Sequence, residues 1–348
     1  MIVFLLLDWL ENIRKSFLPN GSCCLETLLR LAWASQEFKM NQNLKVVIAG
    51  GSGFLGVSLA THLTQLGHEV VILSRNAPKC SGPWSFMEWD ARTLGDWTEC
   101  LGGADAMVNL VGRTVDCIKT PENKDVILRS RVEATRVLGQ AVAQMDQPPS
   151  TWGQMSTAHI YGDPPERLCT EESPIGMGLA PEVGVRWETE FERAHSPKQR
   201  GVVLRTSFVV GRDRGAGGGA LQRLKFITRL GLGGRVGKGT QGMSWIHEKD
   251  FNRVVEQAII QSAMQGIYNV TSDQPVSQQE FMRQLRKAMR MPIGFPATEW
   301  MARFGAHYIF RTDPELAIYV RYVAPQRLIS EGFRFEFPAL DEALADLV

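Results

Sequence analysis

Apolar positions along this chain come in short runs that alternate with stretches of helical spacing. Residues 44–49 form an apolar run of strand length that stops at a glycine turn, and beyond it Val57, Leu59, Ala60, Leu63 and Leu66 recur on one helical face. The alternation continues. Residues 70–73 read as a buried strand ended by Ser74-Arg75-Asn76, residues 84–89 as a third strand ended by Asp90, and residues 106–111 as a fourth ended by Gly112. A helix over about 124–145 is broken by Pro148-Pro149, a fifth strand follows at 151–155, and another helix at about 183–194. Residues 202–210 read as one long apolar strand opening a less regular second half. After Ser277 the spacing predicts a helix over 278–290, then a proline-broken stretch at 292–296 and a terminal lobe. Strands alternating with helices predict an α/β protein: a doubly wound parallel sheet, Rossmann-like, with helices on both faces and a smaller C-terminal α/β substrate lobe.

The boundaries that follow are residues 1–40 as an N-terminal extension and 41–215 as a nucleotide-binding domain, with substrate-lobe segments at 216–290 and the C-terminal lobe at 291–348. In the extension, residues 1–7 are apolar, but Asp8 and Glu11 follow at once and no basic residue precedes them, which makes a poor signal peptide. Met40 stands just ahead of the first strand and is read as the true start, or residues 1–39 as dispensable. The rival reading is a membrane-surface or partner-docking helix, for which residues 25–33 have the amphipathic spacing.

The glycine turn carries the chemistry. Gly50, Gly53 and Gly56 are spaced GxxGxxG between strand and helix. Gly50 allows the tight turn, Gly53 lets backbone approach a pyrophosphate, and Gly56 lets the helix pack on the sheet, so that the helix N-terminus faces the phosphates. Gly51, Ser52, Phe54 and Leu55 complete the expected contact set. Ligands of open α/β sheets sit beyond the carboxyl ends of the strands, so the strand ends are the next residues to read. The second strand ends in Ser74-Arg75 where an NAD binder carries an acidic residue, and a guanidinium favours the 2′-phosphate of NADP. Asp90 is a candidate for the adenine amino group or a plain turn residue. Leu110, Val111 and Gly112 would line the nicotinamide-side ribose, and Arg131 on the next helix would reach a phosphate or remain an exposed helix residue.

Composition narrows the partners. The chain has 348 residues, 44% hydrophobic and 22% charged, with a net charge of +1 that supplies no electrostatic reason to expect nucleic acid or an anionic membrane. Six cysteines show no CxxC pair and no metal-ligand spacing; they read as reduced thiols of a cytoplasmic protein without a metal site. No apolar run reaches the roughly 18–20 residues of a membrane span. Two glycine-rich stretches, 215–219 and 231–239, do not both follow a strand and open a helix as a Walker-type loop does, and read as flexible loops over a substrate cleft rather than as a second phosphate site.

The fifth strand runs into Ser156-Thr157-Ala158-His159-Ile160-Tyr161-Gly162-Asp163. With the glycine turn, Asn109-Leu110-Val111-Gly112 and this S…YG segment, the chain resembles an extended or atypical short-chain dehydrogenase/reductase. In particular it resembles the NAD(P)-binding epimerase family, family 39U of that superfamily. Leu204-Arg205-Thr206, Gly217 to Ala220, Leu230 to Gly234, Ser244 to His247 with Asp250, and residues 325–337 extend the likeness over 44 to about 345. The resemblance implies cofactor contacts at the glycine turn, Ser74, Arg75, Leu110, Val111, Arg131 and Thr206, with NADP(H) as the cofactor. It also implies a C-terminal lobe of this branch.

One departure matters. Short-chain dehydrogenases work through a Tyr with Lys four residues on, and none of the five tyrosines here has one. Trp187-Glu188 stands about where that Tyr is expected. Three substitutes are Tyr161, Glu188 if burial raises its pKa, and His247 if it faces the cleft; Ser156 is the hydroxyl partner, with Thr157 as the register alternative. The expected activity is an NADP-dependent oxidoreductase on a small carbonyl or alcohol substrate. The alternatives are a non-catalytic NADP(H)-binding regulatory protein and a nucleotide-sugar epimerase.

Overall fold

Successive residues of the first strand, Val46 and Ile48 against Val47 and Ala49, are buried in two different cores, so both faces of the sheet are covered. The computed structural model describes residues 43–348 apart from 164–167, 217–218, 310, 312 and 314–320. The expected extension, with Met40 and the 25–33 helix, lies outside the described residues. Seven parallel strands form the main sheet: β1 (Lys45–Ala49), β2 (Glu69–Ser74), β3 (Ser85–Glu88), β4 (Ala106–Asn109), β5 (Thr151–Thr157), β7 (Arg200–Thr206) and β11 (Gly266–Val270). Their order is β11-β7-β5-β4-β1-β2-β3, so all carboxyl ends lie along one edge.

One face is covered by α1 (Phe54–Gln65) and α5 (Glu248–Ile260), which contribute Leu59, Leu63, Phe251 and Val255 to a core with Ile48 and Ile72. The other is covered by α2 (Pro121–Ala143) and α3 (Leu179–Ala194), whose Val137, Leu138 and Phe191 pack on Met107, Trp152 and Val203. The start of α2 is local chemistry: the Thr120 side chain accepts from the Asn123 N–H, and Pro121 takes the first helical position, where no N–H is needed. No helix among the described residues is long and apolar enough to cross a membrane.

A third core joins α4 (Gly219–Arg229), α6 (Gln278–Ala288) and α9 (Leu340–Leu347) through Leu221, Phe281, Leu285 and Leu344. Paired short strands bind this half together: β8 (Phe208–Val210) with β10 (Trp245–His247), β9 (Gly242–Met243) with β12 (Val276–Ser277), and β6 (Leu168–Cys169) with β13 (Tyr322–Val323). Short helices α7 (Glu299–Phe304) and α8 (Gln326–Ser330) complete it.

Two parts of the sequence reading change here. Residues 202–210 are two strands, because the chain leaves the main sheet at Ser207 and β8 pairs instead with β10. Val202 and Leu204 of β7 and Val209 of β8 are buried in one core, so an unbroken apolar run hides the switch. Gly219, the last residue of the glycine-rich stretch 215–219, is the first residue of α4. Strand β11 and helix α5, absent from the sequence reading, complete the sheet at one edge and cover one of its faces.

Arg200 ties three of these elements. Its guanidinium donates to the carbonyls of Ala258 (2.7 Å), Ile259 (2.9 Å) and Met264 (2.6 Å) and to Thr151 Oγ1 (2.8 Å). A cation thus sits at the negative end of α5, and burial pulls its pKa below the usual value. Replacing Arg200 with Met is expected to lower stability by on the order of 3 kcal/mol in urea unfolding, because the buried carbonyls lose their donor; an unchanged midpoint would show that water satisfies them.

Candidate cofactor and active site

The turn after β1 is shaped by close contact. Gly50 adopts φ +77°, its N–H donates to Leu73 O at 2.8 Å, and a Cβ there would stand 2.9 Å from the Val111 nitrogen at the end of β4. At Gly56 a Cβ would fall 2.4 Å from Gly51 Cα. Gly56 therefore serves the approach of the first turn of α1 to the glycine turn itself, rather than to the sheet as expected. Gly53 is exposed, and a Cβ on it would meet only Gly50 O, at 3.6 Å. No side chain caps α1, whose positive end is left for an anion. Gly51 is buried, and Ser52, Phe54 and Leu55 are half-buried around it.

A second loop leans on this turn. Cβ atoms at Gly211 and Gly219 would come within 2.7 and 3.2 Å of the Phe54 ring. Buried Glu248 accepts from Ser58 Oγ (2.9 Å) and the Arg212 N–H (3.0 Å), and pairs with Arg214. Gly211, Arg212, Arg214 and Gly219 are thereby fastened beside the start of α1, which spacing alone did not suggest.

At the end of β2, Ser74 is buried with its hydroxyl donating to Asn76 O at 2.8 Å, while Arg75 is exposed beside it. Asp90 accepts from the N–H groups of Arg92 (2.8 Å) and Thr93 (2.9 Å) and from Thr93 Oγ1 (2.7 Å). Of its two readings, this geometry fits the turn residue. Asn109, fully buried, donates to Gln154 Oε1 and Thr135 Oγ1 and accepts from the Val111 N–H at 3.1 Å, which sets the path of Leu110, Val111 and Gly112. Arg131 lies under that path: a Cβ on Gly112 would stand 2.9 Å from its Cζ. The guanidinium donates to Ile127 O and Arg113 O and stacks over Trp187 at 5.1 Å. No carboxylate pairs with it among the described residues, and burial brings its pKa down to about 10. It is not the solvated helix arginine of the rival reading. Thr206 ends β7, its hydroxyl donating to Leu204 O at 3.1 Å.

Ser156, Glu188 and Tyr161 come together through a residue not singled out as catalytic from the sequence, Arg205. Ser156 Oγ donates to Glu188 Oε1 at 2.6 Å. Arg205 donates from Nε to Glu188 Oε1 (2.9 Å), from Nη2 to Oε2 (2.7 Å) and from Nη1 to the Tyr161 hydroxyl (3.1 Å). Tyr161 donates to Asn269 Oδ1 at 2.7 Å. Burial opposes the charge on Arg205, yet the hydrogen bonds and charge of Glu188 outweigh it and hold its pKa above the usual value. Burial also raises the Tyr161 phenol, more than Arg205 lowers it. Tyr161 walls a cavity of about 370 Å³ with Asp163, Cys169, Ser173, Ile175 and Met177.

Two candidates change character. Glu188 is not a lone acid; both its oxygens are bound by a guanidinium, the arrangement of an ion pair. His247 does not face a cleft. It is fully buried, stacks on Phe337 at 3.9 Å, accepts from the Lys249 N–H at the start of α5, and lies 3.3 Å from Asp346. The available signal for Arg205 was a charged residue inside the apolar run 202–210, two positions before its break. No cluster of His, Cys, Asp or Glu among the described residues has metal-binding geometry.

Known proteins resemble the chain over most of its length. Residues 46–271 match the NAD dependent epimerase/dehydratase family, and 301–347 match a domain of unknown function, DUF1731. The chain is 32% identical over 312 residues to the bovine epimerase family protein SDR39U1, covering 88% of this chain and 100% of that protein. It is 28% identical over 310 residues to the epimerase family protein YfhF of Bacillus subtilis, covering 88% and 98%. The crystal structure of the human epimerase family protein SDR39U1 (isoform 2) with NADPH superposes with a TM-score of 0.75 at 26% identity, covering 87% of this chain and 99% of that one.

The buried His247 has a consequence in acid. Burial depresses its pKa below the ordinary 6.5, so as pH falls through that value the unfolded imidazole takes up a proton that the folded one refuses, and stability falls. His247→Gln is expected to be less stable at neutral pH but to show a shallower loss of stability between about pH 6.5 and 5 in urea titrations. An unchanged slope would mean the imidazole titrates alike in both states.

Proposed function

The chain belongs to the NAD dependent epimerase/dehydratase family, and from that premise we propose that it is an NADPH-dependent oxidoreductase acting on a small carbonyl or alcohol. The observation that carries this reading is the chain Ser156–Glu188–Arg205–Tyr161, formed where β5 and β7 end, on the edge that also bears the glycine turn. The cofactor has a fitting cradle: an uncapped helix N-terminus, an open Gly53, an exposed Arg75 and an Arg131 without a carboxylate. In this assignment residues Gly50 to Gly56 hold the pyrophosphate, and Ser74 and Arg75 hold the 2′-phosphate. Leu110, Val111, Gly112 and Thr206 line the nicotinamide side, and Arg131 offers its charge beneath Gly112 to a phosphate. Asp90 keeps its turn. The likeness to a relative crystallised with NADPH supports the choice of cofactor.

Bound NADPH supplies a hydride. The protein's part is the proton. Tyr161 donates from its hydroxyl to the substrate oxygen, and Arg205, 3.1 Å away, stabilises the phenolate that forms, the role a lysine ammonium has in short-chain dehydrogenases. Glu188 fixes the guanidinium plane through two hydrogen bonds and holds the Ser156 hydroxyl. The raised phenol favours a second reading, an NADPH-binding protein without turnover.

Side-by-side titration with NADPH and NADH tests the first half of this reading. NADPH is expected to bind at least about tenfold tighter, a difference of roughly 1.4 kcal/mol, and Arg75→Glu to abolish that preference while leaving NADH binding nearly unchanged. Binding of neither nucleotide would sink both readings. With an aldehyde and ketone panel, Tyr161→Phe is expected to lower kcat by about 10²–10⁴ at unchanged NADPH affinity. Tight NADPH binding with no oxidation by any panel member would select the non-catalytic reading.

A further inference from the structure

Seven basic residues and one acid occupy residues 226–238 and 286–308, although the whole chain carries a net charge of only +1. The first segment brings Arg229, Arg235 and Lys238; the second brings Arg286, Lys287, Arg290 and Arg303, with Glu299 as the acid. The two segments lie side by side. The Phe295 N–H donates to Gly231 O at 2.8 Å, Ala297 N–H to Arg235 O at 2.9 Å, and Gly237 N–H to Ala297 O at 2.9 Å. Arg286 crosses between them to donate to Gly233 O.

The same surface exposes large apolar side chains. On the first segment these are Phe226, Leu230 and Leu232, each more than half exposed. On the second, Ile293 and Phe295 stand out at 53% and 62%, and α7 exposes Trp300 at 72%. Trp300, Phe304 and Tyr308 follow at intervals of four and stack in series, with ring centroids 5.8 and 4.8 Å apart. Scattered apolar residues on a surface need no explanation, but a continuous stretch from adjoining segments marks a place of contact.

We propose that this surface docks on an anionic lipid bilayer, lying on it rather than crossing it. Aromatic rings flanked by Lys and Arg are the composition that settles in the headgroup region, where apolar area is buried and basic side chains meet lipid phosphates. Each basic residue near such a surface adds to the attraction. A second copy of this chain, joined about a two-fold axis, would instead set the seven cations against the same seven, which is repulsive. The charge is balanced over the chain as a whole and unbalanced on this surface.

The test is co-sedimentation of the full-length protein with phosphatidylcholine vesicles, with and without phosphatidylglycerol. The unaltered chain is expected to pellet with the anionic vesicles, and less so at high salt. The double variants Trp300→Ala/Phe304→Ala and Arg229→Glu/Arg235→Glu are each expected to lose at least about tenfold in partitioning while keeping NADPH affinity. Because residues 1–42 are present in every variant, a loss belongs to this surface and not to the N-terminal segment. No partitioning, or partitioning that neither double variant weakens, overturns the proposal. So would a lipid-free dimer, seen by sedimentation velocity, that the same substitutions dissociate.

Discussion

A guanidinium buried at the end of β7 is a liability that the surrounding structure must answer. Arg205 has a side chain only 5% exposed, and an unpaired charge at that depth would cost several kcal/mol. Glu188 answers it from α3, and with it come Ser156 from β5 and, through Arg205, Tyr161 and Asn269 from the other side. Asn269 carries the connection onward, donating to Ala324 O beyond the main sheet. One buried cation thus orders two sheet strands, a helix and part of the C-terminal region around a single point. That point stands on the edge where the sheet opens to ligands.

The same logic, with the sign reversed, organises the other end of the site. Glu248 is a buried carboxylate at the start of α5, and its partners are Ser58 on α1 and the Arg212 and Arg214 loop. It holds the covering segment against Phe54 and so against the glycine turn. Arg131 breaks the pattern, since it is packed under Gly112 with carbonyls and an aromatic ring but no anion. Arg205 has Glu188 and Glu248 has Arg214, so among these buried charges Arg131 differs in having no carboxylate partner among the described residues.

Much of the sheet was legible because its strands are short apolar runs buried on both faces, each ended by a recognisable turn. The glycine turn, Ser74-Arg75 and the end of β4 were legible for the same reason, being strand ends on one edge. Residues 202–210 were misread because Val202 and Leu204 of β7 and Val209 of β8 are buried in one core, so the change of strand partner leaves no mark in the apolar pattern. His247 was ambiguous because an imidazole after an apolar run looks alike whether it meets substrate or caps a helix.

Local pattern therefore determined the class of fold, the nucleotide-binding turn and the set of strand-end residues, since strand and helix periods and glycine spacing act over a few neighbours. Which polar residues meet was decided only by tertiary structure. Ser156, Glu188 and Arg205 are 32 and 17 residues apart in succession, and Asn269 is 108 residues from Tyr161. Electrostatic pairing in a low-dielectric interior depends on distance in space, to which the order of residues along the chain has no direct access. The same holds for the basic apolar surface, which exists because two segments that are far apart in sequence share one edge.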